Sequence, residues 1–322
     1  MGAFTAMSGP RAPERSVIVH ADDTWYGHIL RGEAGFFEKL GQALIAAGYA
    51  PRIVRDGDLN AVALMAQTRP QIVVGPKRHR GAHIWHAHPS YIRNYWYLDP
   101  QGYFWNSSLV EAAFDPQQID GARARQFMRQ LRQRMIGKNL SKRPQPPRSA
   151  AGLPPASVFV VTQDIEKYRD RVHDLTTEEM IRTAAAWAGH VYVKLHPLQS
   201  PERQAQITGL CDSLDNVTVQ DASVHDLIAA CDVVVTQNSA VGFEALMQAK
   251  PVLTCARCDY HHASLVCRDT DALAHNLTRA RDFADGFQFA KYFYWFLAQQ
   301  MLKPQDDDFA ARAMQRLLGG QP

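Results

Sequence analysis

The chain has no apolar run approaching the roughly 20 residues that a bilayer-spanning helix requires, so no transmembrane helix is expected in its 322 residues. Met1 to Arg15 lack the apolar centre of a secretory signal, and none is read there. Cysteine is scarce. Five cysteines in a chain of this length do not form a disulfide framework, and the odd count leaves at least one unpaired. A reducing, cytoplasmic setting is the expectation. Charge of one sign is lacking too: 35 Lys+Arg stand against 32 Asp+Glu, a net +3, which excludes a surface devoted as a whole to nucleic acid. What the chain does have is apolar material. Hydrophobic residues make up 46% and charged residues 21%, enough for a substantial core. The length suggests about two domains.

The pattern of that material is α/β. Ser16 to His20 form a short β-branched run of the kind buried in parallel sheets. Phe36, Leu40 and Leu44 then mark one helix face, closed by Gly48. Arg52 to Val54 read as a strand, Ala61 to Gln67 as a helix and Gln71 to Gly75 as a third strand. Such a β-α-β-α-β rhythm predicts a doubly wound sheet with its ligands outside the carboxyl ends of the strands. His83 to Asn106 are crowded with aromatics and histidines without clear periodicity, and are expected to be loops. After an arginine-rich helix around Phe127, Leu131 and Met135, five prolines fall between Lys138 and Pro155. Proline fixes φ and removes amide donors, so this stretch is expected to be an extended connector and the domain boundary. The rhythm restarts at Ser157 and runs to Thr254, followed by a helical tail from Thr270 to Leu318. The expected architecture is two Rossmann-like α/β domains in tandem, residues 1–150 and 151–322, with a helical C-terminal tail.

Chemistry should sit at strand ends. Thr236 to Leu246 read as a strand end, a polar turn and a helix that Asn238 or Ser239 can cap. Free N–H groups and the positive helix end there make a natural phosphate seat. Glu244, about one and a half turns in, could accept bonds from ribose hydroxyls. An ordinary capped helix would look the same. Val191 to Pro197 deliver Lys194 and His196 at another strand end, where both could meet phosphate, although a lone loop histidine often has no role. A carboxylate is also needed to take up an acceptor proton or steady a sugar cation. Asp22, Asp23 and Glu33 follow the first strand and are the candidates. Each could equally be a solvated loop carboxylate. His86, His88 and Asp99 rank behind them.

Val160 to Gln163, Lys194 to Pro197 and Ser239 to Leu246, in that order and at strand ends, resemble the capsule polysaccharide biosynthesis glycosyltransferases, which include bacterial Kdo transferases. The resemblance covers about Val158 to Thr254 and is faint in the first half. It implies a GT-B fold with the donor on the C-terminal domain and the acceptor on the N-terminal one. It also implies a nucleotide-sugar donor such as CMP-Kdo, a saccharide or glycolipid acceptor, and neither metal nor other cofactor. On this match Gln163 lies near the donor, Lys194 and His196 meet its phosphate, Gln237, Asn238 and Ser239 cradle phosphate, and Glu244 holds ribose. No catalytic carboxylate of the first half can be matched. A nucleotide-sugar epimerase of the same architecture and a non-catalytic sugar- or nucleotide-binding subunit are the alternatives.

Other features carry less. His83, His86 and His88 lack a carboxylate at ligand spacing and read better as walls of an acceptor pocket. Cys255 and Cys258 with His261, His262 and Cys267 resemble half a zinc site, whereas a loop with Tyr260 and His261 near the donor sugar fits the setting better. Asp306 to Asp308 contain an Asp-x-Asp spacing but read as a helix start or a solvated loop. The aromatic stretch Phe287 to Leu297 indicates burial. The arginine-rich helix with Lys138, Lys142 and Arg143 could touch an anionic inner-membrane surface, and a solvated basic face explains it as well.

Overall fold

The computed structural model describes residues 2–319 apart from 8, 11, 169 and 188. The chain divides into two compact units, one of Met1–Ser108 with Phe296–Pro322 and the other of Leu109–Trp295.

The first unit opens with β1 (Thr5–Ala6), β2 (Ser16–Ala21), α1 (Asp23–Leu30), α2 (Gly35–Ala46), β3 (Ala50–Arg55), α3 (Leu59–Met65) and β4 (Gln71–Val74). It continues through β5 (Ile84–Pro89) and β6 (Trp96–Asp99). The sheet order is β1-β3-β2-β4-β5-β6, parallel except for the β5–β6 pair. Every residue of β2 and β4 is buried, as central strands covered on both faces require. The expected loops at residues 83–106 therefore contain two strands. Trp96 pairs opposite Pro89 and Asp99 opposite His86, so the aromatics and histidines alternate across a hairpin at the sheet edge. Asn94, at φ 74°, makes the turn in a left-handed conformation that asparagine tolerates. Asp99 is not free for chemistry: it accepts bonds from the amides of Gln101, Gly102 and Ser108 and from the Ser108 hydroxyl.

The second unit carries α4 (Gly121–Met135), β7 (Ala156–Val161), α5 (Thr177–Trp187), β8 (Val191–Lys194), α6 (Pro201–Asp212), β9 (Val217–Val219) and α7 (Val224–Ala230). Then come β10 (Cys231–Thr236), α8 (Ala240–Met247), β11 (Val252–Thr254), β12 (Leu265–Val266), α9 (Thr270–Gly286) and α10 (Phe289–Phe293). Its sheet is wholly parallel, in the order β12-β11-β10-β7-β8-β9. A π-helical turn at Tyr294–Gln299 follows α10, and α11 (Phe309–Leu318) belongs to the first unit. There Phe309, Ala313 and Leu317 enter the core beside Phe36, Phe37 and Leu40.

The proline-rich stretch is not the boundary expected at residue 150, because its polar groups are bound to the second unit. Ser223 Oγ donates to Asn139 Oδ1 at 2.6 Å, and His225 Nε2 lies 2.8 Å from the Leu140 carbonyl. Arg148 Nε and the Ser149 amide both donate to the buried Asp226 carboxylate, at 2.7 and 2.8 Å. Proline supplies an extended path, and these side chains fasten it across α7. The tail also differs from a continuous run of helix, being broken between the π turn and α11. All five cysteines are free and buried. Among the described residues no group of three or more His, Cys, Asp or Glu is arranged to hold a metal ion, and no helix is long and apolar enough to cross a membrane.

Two buried histidines of the first unit set an acid limit on its stability. Burial is the largest influence on both His20 and His86 and lowers each from the usual 6.5 to about 4. The folded state therefore holds them neutral while the unfolded chain takes up protons below about pH 6.5. Stability is full above that value and falls as pH drops toward 4, by up to about 3 kcal/mol per histidine. Urea unfolding followed by tryptophan fluorescence should show a lower midpoint at pH 4.5 than at pH 7. An unchanged midpoint would refute the assignment.

Candidate functional site

Three neighbouring strands of the second unit, β10, β7 and β8, end on one edge of the sheet. Adjacent strands lie about 4.8 Å apart, so the exits of β10 and β8 are separated by about 10 Å. Between them the exit of β7 acts as a clasp. Gln163 Nε2 donates to Asn238 Oδ1 at 3.0 Å, while the Asn238 amide donates to Gln163 Oε1 at 2.7 Å. Asn238 Nδ2 donates in turn to the Arg257 carbonyl at 2.8 Å. On the other side the His196 amide donates to Thr162 Oγ1 at 2.9 Å and to Gln199 Oε1 at 3.0 Å. Gln199 Nε2 closes the circuit on the Gln163 carbonyl at 2.9 Å. The structure thus brings Gln163, His196, Asn238 and Ser239 together on one strand edge. Thr162 and Gln199 were missed from sequence, although Gln199 stands three residues after His196, the spacing of a turn that closes on itself.

Capping falls to Ser239, whose Oγ accepts from the Val241 amide at 3.2 Å. Asn238, the other capping candidate, is engaged by Gln163 instead. Behind them, Tyr260 is fully buried and donates from its hydroxyl to the Ser239 carbonyl at 2.9 Å. It supports the turn and does not face a sugar. Gln237 points inward, donating to Glu166 Oε1 at 2.9 Å and to the Leu175 carbonyl at 3.0 Å, so its side chain takes no part in a cradle. Lys194 is likewise engaged elsewhere: its ammonium meets Asp221 Oδ1 at 2.5 Å and the Ala222 carbonyl at 2.9 Å. Glu244 is wholly buried, and its Oε1 accepts from Ser141 Oγ at 2.7 Å and from the Lys142 amide at 3.4 Å. The connector thereby closes over the second turn of α8.

His196 is neutral near pH 7. Burial, and then the nearby Arg143 charge, lower its affinity for a proton. Its Nδ1 accepts from the Leu198 amide at 3.3 Å, which leaves the proton on Nε2 as an outward hydrogen-bond donor. The histidine can hydrogen-bond an oxyanion without carrying charge itself.

The carboxylates of the first unit stand apart in their surroundings. Asp22 closes β2 and caps α1, with Oδ1 accepting from the Trp25 amide at 2.9 Å. Its other oxygen presses on Gly75, where a side chain would come within 2.8 Å of it and where φ is +128°. Asp23 is exposed and pairs with Arg55. Glu33 is held by Arg31 Nε at 2.6 Å and by His28 Nδ1 at 2.6 Å, and these bonds pull its carboxyl down to about 2. His86 is buried, and His88 stacks on Tyr103 at 4.1 Å, so neither is presented as a reactive group.

Two Rossmann-like α/β units in one chain are the construction of the GT-B class of fold. The structure is similar to Thermosulfurimonas dismutans KpsC, beta Kdo 2,7 transferase, at a TM-score of 0.52 and 16% identity, over 80% of this chain and 84% of that one. A second KpsC structure from the same organism, beta Kdo 2,4 transferase, gives a TM-score of 0.49 and 14% identity over 86% of this chain and 91% of that one. Residues 164–300 match the family described as capsule polysaccharide biosynthesis protein. The resemblance read from the motifs is borne out over that span, and the fold is of the GT-B class. No curated protein matches the chain.

The first turn of α8 leaves no room for an added methyl group. A Cβ on Gly242 would stand 2.9 Å from Thr236 Cγ2 and 2.9 Å from the Tyr260 hydroxyl. Gly242→Ala should therefore displace Tyr260 from the Ser239 carbonyl and destabilise the unit by about 1–3 kcal/mol, as overpacking does. A thermal midpoint equal to that of the parent protein would show that the turn yields without cost.

Proposed function

We propose that the chain is a metal-independent glycosyltransferase that moves a sugar, Kdo, from its CMP-linked donor to a saccharide or glycolipid acceptor in bacterial surface polysaccharide synthesis. The observation that carries this reading is the clasped edge of the second unit. A capped helix N-terminus and a neutral, proton-donating His196 are held there within about 10 Å, the reach of one nucleotide. The helix end of α8 and its first amides attract the donor phosphate. His196 Nε2–H hydrogen-bonds a phosphate oxygen as negative charge gathers on the leaving group, which favours the transition state over the ground state. Gln163 and Asn238 fix the loop that presents those donors, and Lys194 orders the turn after β9 beside them. Glu244, oriented by Ser141, takes the ribose side. The choice of sugar follows the resemblance of the motifs to Kdo transferases, and the similar fold of one such enzyme is consistent with it.

In the first unit Asp22 is the group assigned to accept the acceptor proton, since it stands at a strand end. Glu33 is a weak base, because its carboxyl is held at about 2.

The nucleotide is tested by thermal shift, because a ligand that binds only the folded state raises the midpoint. CMP should stabilise the protein more than UDP or GDP, and His196→Ala should lower turnover on the order of 10²-fold with the fold intact. Near-parental turnover in that variant would place the phosphate elsewhere. Release of a modified nucleotide-sugar without any acceptor would identify an epimerase instead.

Activity should also survive EDTA. Loss of turnover on chelation, with recovery on adding magnesium or manganese, would overturn the metal-free mechanism.

A further inference from the structure

The first unit contains a cavity of about 340 Å³ that no role described so far uses. Pockets that take small ligands start at roughly 300 Å³. Its walls include Trp25, Trp96, His28, Glu33, Asn94 and Gln305, all from the first unit. The two indoles meet edge to face at 5.5 Å, and Phe36 covers one face of Trp96 at 4.6 Å. Both remain half-buried instead of closing into the core.

The polar groups around these rings are planar and of mixed hydrogen-bonding sense. Asn94 and Gln305 each offer an amide with donor and acceptor, and both are exposed. Asn94 projects from a left-handed turn that fixes its backbone. Glu33 is fully ionised and its orientation is fixed by Arg31 and His28, so it presents an acceptor at a constant place.

We propose that this cavity binds a sugar ring of the acceptor, with the indoles against its C–H faces and Asn94, Gln305 and Glu33 on its hydroxyls. A saccharide has that double character, apolar axial faces and a rim of groups that both donate and accept. An aliphatic ligand would leave three polar side chains unmatched, and an anion would meet the Glu33 carboxylate. The assignment of the bound ring to the acceptor rests on the glycosyltransferase reading. Binding itself does not.

Lactose and N,N′-diacetylchitobiose, both uncharged, are titrated separately against intrinsic tryptophan fluorescence of the full chain. At least one should give a saturable change. Replacing Asn94 by glycine, which keeps the left-handed turn, together with Gln305→Ala touches no buried packing and should weaken that binding about tenfold, the scale of losing hydrogen bonds to a ligand. Trp25→Phe should keep the fold and reduce the optical signal. CMP stabilisation of the second unit serves as the control and should be unchanged in the double variant. If no probe saturates at tens of millimolar, or the double variant binds as tightly as the parent, the pocket assignment is wrong even where CMP still binds. If a saccharide binds as expected but no nucleotide stabilises the protein, the pocket stands and the transferase reading falls.

Discussion

The reciprocal bond between Gln163 and Asn238 is the constraint on which the second unit's edge depends. A strand exit in a parallel sheet is a loop with unpaired amides, and its direction is set by whatever satisfies them. Here two side chains and one amide satisfy each other across the gap between β7 and β10. Once that pair is made, Ser239 is left to cap α8, Arg257 is drawn in through its carbonyl, and the carbonyl of Gln163 is placed for Gln199. His196 then hangs from Thr162 and Gln199 with its Nε2 outward. The site is positioned by neutral amides and hydroxyls, whose geometry is insensitive to pH.

Charge is used differently in the two units. Near the clasp, His196 is kept neutral by burial, Glu244 is sealed beneath Ser141, and Lys194 is neutralised by Asp221. The positive helix end of α8 and the nearby Arg143 charge are left as the positive sources at this edge. In the first unit the interior histidines are neutral as well, but the rim carries Glu33, held ionised by Arg31 and His28, and Asp23 is paired with Arg55.

Much of this was legible in the sequence because buried parallel strands are written as uninterrupted β-branched runs. Ser16 to His20, Val191 to Lys194 and Asp232 to Thr236 needed no context. The hairpin of β5 and β6 was not legible: its faces alternate histidine with tryptophan and tyrosine, residue types that mark neither inside nor outside. Helix α1 was hidden by its polar start and its short length. The strand-end motifs were placed correctly along the chain, but which side chain would point outward could not be read. Asn238 and Gln237 look alike in sequence, yet one joins the clasp and the other turns to Glu166. That choice is decided by partners far away along the chain, at Gln163, Glu166 and Leu175. The connector misled for a related reason. Its prolines describe backbone stiffness correctly, while its serines and arginine carry the contacts that assign it to a unit.

The return of the chain into the first unit has a consequence for biogenesis. Residues 109–295 form an uninterrupted segment, and every strand of their sheet is present once that segment has left the ribosome. The first unit is interrupted by that whole segment. Its core gains Phe309, Ala313 and Leu317 only when α11 emerges. The half begun first is therefore completed second. Until then the apolar faces of Phe36, Phe37 and Leu40 lack part of their cover, and a nascent chain in that state is the form most open to chaperones and to aggregation.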